Sequence, residues 1–243
     1  MTASTPAKTG TLYGIGVGPG DPDLLTLKAA KVLGTVDVIF AASSTKNDYS
    51  TALQIVAPHL RKDVETVMLG FPMTRDKAAL SAAWEANAET VARVLDSGRS
   101  GAFLTLGDPL IYSTFGYLMR TLQAGRPDTV IEIVPGITSY QASAARTCTI
   151  LCESDENLLL MSGVRDTDSL RSMLTQADNS IILKTYRNFE AIRQVLDEAG
   201  KNGETVFVSR LGMEGEQIVR RIAEAPEKPH YFSHLLIPKA KRN

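Results

Sequence analysis

Two stretches of this chain share a turn that could serve chemistry. "GIGVGPGDP" runs from Gly14 to Pro22, and "GDPLIYSTF" from Gly107 to Phe115. Each follows an apolar, strand-like run, so each falls where a parallel sheet presents its carboxyl ends. Glycine turns the backbone through positive φ and lets a ligand come close. Aspartate either bonds its own backbone in a turn or accepts a proton. Ser113 and Thr114 bring hydroxyls that donate and accept, and Tyr112 brings a ring with a phenol. One such turn is ordinary; two in one half-chain point to a ligand.

Gly14, Gly16 and Gly18 suggest a dinucleotide fingerprint, but the spacing fails. That fingerprint places its third glycine after a two-residue gap and opens a helix at once. Here Pro19, Gly20, Asp21 and Pro22 intervene. The prolines delay the helix and remove amide donors that would cradle a pyrophosphate. Ordinary NAD binding is therefore set aside. Glycines on alternate positions also leave one strand face bare, where a broad flat ligand can approach. Asp21 carries two readings, turn residue or proton acceptor. Asp108 reads as mainly structural. A third feature, "VPGITSYQAS" (Val134–Ser143), ends a strand at Pro-Gly and places Thr138 or Ser139 to cap a helix.

The elements that must hold these turns alternate. Strand signals fall at Thr11–Val17, Val36–Phe40, Val64–Leu69, "GAFLTL" and Thr129–Val134. Helix signals fall in "PDLLTLKAAKVLG", in "STALQIVAPHL" as far as Pro58, over Asp76–Ser97 and in "FGYLMRTLQAG". Leu24, Leu27 and Ala30 would share one side of the first helix. Leu80, Trp84, Ala88, Val91 and Leu95 make an apolar stripe on the third. Such alternation predicts a parallel sheet covered by helices. The back half opens with a helix, "SYQASAART". It then reads strand "NLLLM", helix "DSLRSMLTQA", strand "SIILKTY" and helix "FEAIRQVLDEAG". It closes on "TVFVS", "EQIVRRI" and "YFSHLLI", three strand-like runs without crossovers, which predict a mixed or antiparallel sheet. The fold expected is α/β, with two α/β domains, residues 1–136 and 137–243.

Composition narrows the function classes. The 243 residues are 44% hydrophobic and carry a net charge of −1, so no global field favours nucleic acid or a membrane surface. The first ten residues are polar, unlike a secretory signal, and no apolar run approaches the ~18 residues of a membrane span. A cytoplasmic location follows. Cys148 and Cys152 read as free thiols, and no metal site is expected. His230 and His234 lie in a strand-like run, where a period of two puts them on one face as a surface or half-buried pair. The ends, Met1–Thr9 and Lys239–Asn243, are expected to be loose.

"LYGIGVGPGDPDLLTLKAAKVL", "FLTLGDPLIYSTF", "VPGITSYQASAA", "KTYRN" and "SRLGMEGEQI", in this order, resemble the tetrapyrrole (precorrin) methylase family. The resemblance runs from Leu12 to Ile237. Within the family the first two motifs most resemble the enzymes that methylate carbon 20 of precorrin-2 or of cobalt-factor II in cobalamin synthesis. The resemblance implies a ligand cleft between the two domains and an S-adenosylmethionine-dependent C-methyltransferase that releases S-adenosylhomocysteine. It implies a cofactor site at Gly107, Asp108, Leu110, Ser113 and Thr114. Met161, Tyr186, Leu211 and Met213 of the second domain would join it. It implies a tetrapyrrole trough lined by Gly16, Gly18, Pro19 and Arg75. Asp21 is then the candidate proton acceptor, and Tyr112 orients the ring. Lys46, Arg75 and Arg187 are candidates for the ring's carboxylates. A homodimer is the family expectation. The alternatives are another corrin-ring carbon, uroporphyrinogen or a non-tetrapyrrole acceptor, and a binding module without catalysis.

Overall fold

The structure is a computed structural model that describes residues 9–43 and 50–239. Lys46 and most of the two chain ends lie outside the described residues. The chain divides into two compact units, Met1–Thr138 and Ser139–Asn243.

The first unit runs β1 (Leu12–Gly16), α1 (Leu27–Leu33), β2 (Val38–Ser43), α2 (Thr51–Val56), β3 (Glu65–Gly70), α3 (Lys77–Asp96), β4 (Gly101–Thr105), α4 (Phe115–Gly125) and β5 (Ile131–Val134). Among the described residues its strands form one parallel sheet in the order β3-β2-β4-β1-β5. Each connection to a parallel neighbour needs a crossover, and the helices supply it. Leu12, Val38, Phe40, Phe103, Phe115 and Leu118 fill the core against Val91 and Leu95 of α3. Asp76 caps α3 by accepting from the Ala78 and Ala79 amides. Buried Asn87 donates from Nδ2 to the Gly70 carbonyl at 2.8 Å, satisfying the end of β3. Trp84 stacks on Tyr117, ring centroids 4.6 Å apart and ring planes nearly parallel, joining α3 to α4.

The first helix departs from expectation. Pro22–Leu24 is a separate 3₁₀ turn, and α1 restarts after Thr26, whose Oγ1 accepts from the Ala29 amide. That restart rotates the buried face to Ala29 and Leu33 and leaves Leu27 81% exposed.

The second unit runs α5 (Ser139–Thr147), β6 (Leu158–Ser162), α6 (Thr167–Gln176), β7 (Asn179–Leu183), α7 (Phe189–Glu198), β8 (Val206–Ser209), β9 (Gln217–Val219) and β10 (Ser233–Ile237). Its sheet has the order β6-β7-β10-β8-β9. β6 and β7 are parallel; β10 is antiparallel to both β7 and β8, and β9 is antiparallel to β8. The sheet is therefore mixed, and β6, β7 and β8 end on one edge. Ser162, Leu183, His234 and Val208 align in one row just short of that edge. Only Gln217–Val219 of "EQIVRRI" is strand; Ile222 turns into a 3₁₀ turn and the core.

Two smaller expectations are corrected. β10 starts at Ser233, so His230 lies outside it and is exposed, while His234 is only 4% exposed. Lys239 is tied down: its amide donates to Asn179 Oδ1 at 2.7 Å, and its ammonium pairs with Asp178 and Glu156.

Candidate functional site

Three adjacent strands of the first unit, β4, β1 and β5, end in glycine-bearing loops that close on one another. A Cβ built on Gly136 would lie 2.1 Å from the Gly107 carbonyl oxygen and 2.7 Å from Gly16 Cα. One built on Gly16 would lie 2.5 Å from the Gly136 nitrogen. These neighbours are backbone, which cannot swing aside as a side chain can. Gly18 and Gly107 form an isolated antiparallel bridge, with Gly107 N–H donating to the Gly18 carbonyl at 2.8 Å. Both take positive φ, 82° and 66°, which glycine adopts without strain. The bareness of β1 thus serves the chain's own packing. Phe115 Cζ sits 2.4 Å from where a Gly14 Cβ would be, and Gly16 lets the three strand ends close.

Asp108 locks this knot. Its Oδ1 accepts the Leu110 amide at 2.9 Å, and its Oδ2 accepts the Gly136 amide at 3.1 Å. One carboxylate therefore holds the loop after β4 to the loop after β5. Beyond it the chain presents Leu110, Ile111 and Tyr112, at 55%, 37% and 53% exposure. Tyr112 takes φ 49°, a left-handed conformation uncommon for an aromatic residue. Ser113 Oγ accepts from the Phe115 amide at 3.0 Å and starts α4. Thr114 holds the N-cap position without a side-chain capping bond. Pro19, within the first loop, is buried. Asp21 Oδ1 accepts from the Asp23 amide at 2.9 Å, which is its turn role made visible. Arg75 is exposed just before α3. The structure thus gathers Gly16, Gly18, Gly107 and Asp108 at the ends of the central strands.

The second unit places Met161, Tyr186, Leu211 and Met213 along the edge where β6, β7 and β8 end. Met161 lies in β6 and packs on the core. Leu211 is buried, and the Met213 amide bonds the Arg210 carbonyl. Tyr186 sits in a 3₁₀ turn after β7, its ring 5.2 Å from that of Tyr231. Lys184 and Arg210, directly after β7 and β8, are both left-handed, at φ 55° and 52°. Neither is legible as special in the sequence, since the signal would be an unusual φ at an ordinary residue type.

Behind this edge, buried Ser143 of α5 bonds His234 Nε2 at 2.7 Å. Burial pushes the His234 pKa down from 6.5 to about 4. The fold holds the neutral ring, so the unfolded chain takes up a proton that the folded chain refuses between those values. Stability should be whole above pH 6.5 and fall as pH drops toward about 4, by about 3 kcal/mol at ~1.4 kcal/mol per pKa unit. His234→Gln should flatten that part of the profile. Parallel acid melts of the two proteins test this, and identical slopes would exclude the ring as the cause.

The family model described as Tetrapyrrole (Corrin/Porphyrin) Methylases matches residues 11–226. The cobalt-precorrin-2 C(20)-methyltransferase of Salmonella typhimurium is 34% identical, over 95% of this chain and 97% of its own. The precorrin-2 C(20)-methyltransferase of a Sinorhizobium species is 32% identical, over 94% and 95%. Among solved structures, the uroporphyrin-III C-methyltransferase of Thermus thermophilus complexed with S-adenosylhomocysteine aligns with a TM-score of 0.66. It shares 23% identity and covers 94% of this chain and 92% of its own, a likeness of fold. A parallel sheet with a glycine knot at its strand ends, a mixed second sheet and this full-length match lead to one assignment: the chain belongs to the tetrapyrrole methylase family.

Proposed function

We propose that this protein is the S-adenosylmethionine-dependent methyltransferase that methylates carbon 20 of precorrin-2 or cobalt-factor II in cobalamin biosynthesis. The observation that carries the reading is the end-to-end match to relatives that bear that activity in their names. Uroporphyrinogen or another ring carbon has no comparable support over the whole chain.

The residues present suit the cofactor. The loop at Gly107–Thr114 combines a backbone that no Cβ crowds at Gly107 with hydroxyls and exposed apolar side chains. In this reading Gly107, Asp108, Leu110, Ser113 and Thr114 hold it. Met161, Tyr186, Leu211 and Met213 contact its adenosyl part. S-adenosylmethionine, when bound, supplies an already activated methyl group, as cofactors carry the difficult chemistry. The chain's own task is to hold the meso carbon in line, at about 3–3.5 Å from that group, and to exclude water. Asp21 takes the proton that carbon 20 must lose, and Tyr112 orients the ring. Gly18, Pro19 and Arg75 line the ring's side of the first unit, with Gly16 shaping the strand ends beneath them. The enzyme would act in the cytoplasm as a homodimer.

The test is a side-by-side turnover assay with labelled S-adenosylmethionine and either precorrin-2 or cobalt-factor II. Label on carbon 20 of at least one ring is expected, and no transfer to either would overturn the reading. Sedimentation of the purified chain tests the dimer.

A further inference from the structure

The second sheet's edge carries a feature that methyl transfer as described leaves unused. Lys184 follows β7 directly, half-buried, in a left-handed backbone that an ordinary side chain enters only at a cost. Three residues on, Arg187 lies over the Tyr186 ring at 5.4 Å and donates from Nε to the Tyr186 hydroxyl at 2.8 Å. Tyr186 is itself braced by Tyr231, just before β10. Two cations thus share one short turn, one of them parked on a fixed aromatic platform. No ion pair joins either to a carboxylate among the described residues.

That arrangement is unfavourable by itself. Burial first, and then the Arg187 guanidinium, hold the Lys184 ammonium below the usual lysine range. Charges of one sign gathered without a counter-ion are repaid when an anion arrives. A third cation, Arg210, follows β8 on the same edge, about 10 Å across the intervening β10 by ordinary strand spacing. The ligand class these groups fit is a carboxylate, which an ammonium meets as a point charge and a guanidinium meets with paired N–H donors. Two sources bring one: the acetate and propionate arms of the tetrapyrrole, and the amino-acid end of the cofactor.

We propose that Lys184 and Arg187 form a carboxylate anchor at the end of β7, and that a ring acetate or propionate is what it holds. This rests on the methyltransferase reading for the identity of the ring. The expectation from the sequence named Arg187 for this task but not Lys184, whose burial and backbone geometry only the fold reveals.

The experiment uses the full chain with Lys184→Gln, Arg187→Gln and the charge-keeping Lys184→Arg. Cobalt-factor II binding is read by equilibrium dialysis, S-adenosylhomocysteine binding by calorimetry, and turnover alongside; thermal melts confirm folding. Arg187 is exposed on a short turn, so its variant folds even if a change at Lys184 disturbs the backbone. Each neutral variant should weaken ring binding roughly tenfold to a hundredfold and leave S-adenosylhomocysteine within about threefold, and Lys184→Arg should keep part of the ring affinity that Lys184→Gln loses. Weakened S-adenosylhomocysteine with unchanged ring binding would keep the anchor and move its ligand to the cofactor. Folded variants that bind both like the wild type would overturn the anchor. A wild type that fails to methylate, while the neutral variants still lose ring affinity, would sink the methyltransferase reading and leave the anchor standing. A wild type that binds neither probe would overturn both.

Discussion

Gly136→Ala is expected to lower kcat/KM for methyl transfer by about a hundredfold or more, since a displacement near 1 Å at a reacting centre costs that much. The added methyl would sit 2.1 Å from the Gly107 carbonyl oxygen and 2.7 Å from Gly16 Cα. Neither neighbour is a movable side chain, so the loops after β1, β4 and β5 must separate. Overpacking of this kind typically destabilises by about 1–3 kcal/mol. Gly16→Ala should behave alike, because its methyl meets the same backbone from the other side. Gly34→Ala is the control. Gly34 already has φ −74°, and its nearest new contacts are 3.5 and 3.6 Å away. Melting curves and turnover for the three variants decide the matter. If Gly136→Ala were as active as Gly34→Ala, the glycine knot would not be what shapes the cofactor loop.

The second large effect is expected at Asp108. Its two carboxylate oxygens accept two different backbone amides, from Leu110 and Gly136. Asp108→Ala removes both acceptors: water can reach the exposed Leu110 amide, but the part-buried Gly136 amide is left unsatisfied, at about 1–3 kcal/mol. Asp108→Asn keeps one acceptor but turns an NH2 toward a backbone N–H, so it should rescue little. Both variants should lose about tenfold to a hundredfold in kcat/KM, and S-adenosylhomocysteine affinity should fall with it. An Asn variant with wild-type affinity would show that the strap is dispensable.

Much of this was legible in the residues. Alternating apolar runs and helical stripes gave the first sheet because period-two and period-3.6 patterns were clean there. Asp76–Ser97 was nearly the span of α3, Lys77–Asp96. The errors have local causes. Asp21 and Pro22 start their own short turn, so the first helix begins at Leu27 and its buried face shifts. In "HYFSHLLI" periodicity placed both histidines on one face, but β10 begins only at Ser233, and α5 covers His234 alone through Ser143. At the glycine loops the sequence showed that close approach was needed but not by what. Ligand and backbone leave the same mark on a glycine, and only the fold shows that Gly14 faces Phe115 and Gly16 faces Gly136. Lys184 stayed invisible because nothing in "LKTYRN" announces a positive φ.

The stack of Trp84 on Tyr117 has a practical corollary. Trp84 is the chain's single tryptophan, and it sits in the first unit against α4. Intrinsic fluorescence is thus a private reporter on that unit, while circular dichroism sums both. Denaturation followed by the two signals separates an all-or-none molecule, whose curves superimpose, from one whose halves melt independently.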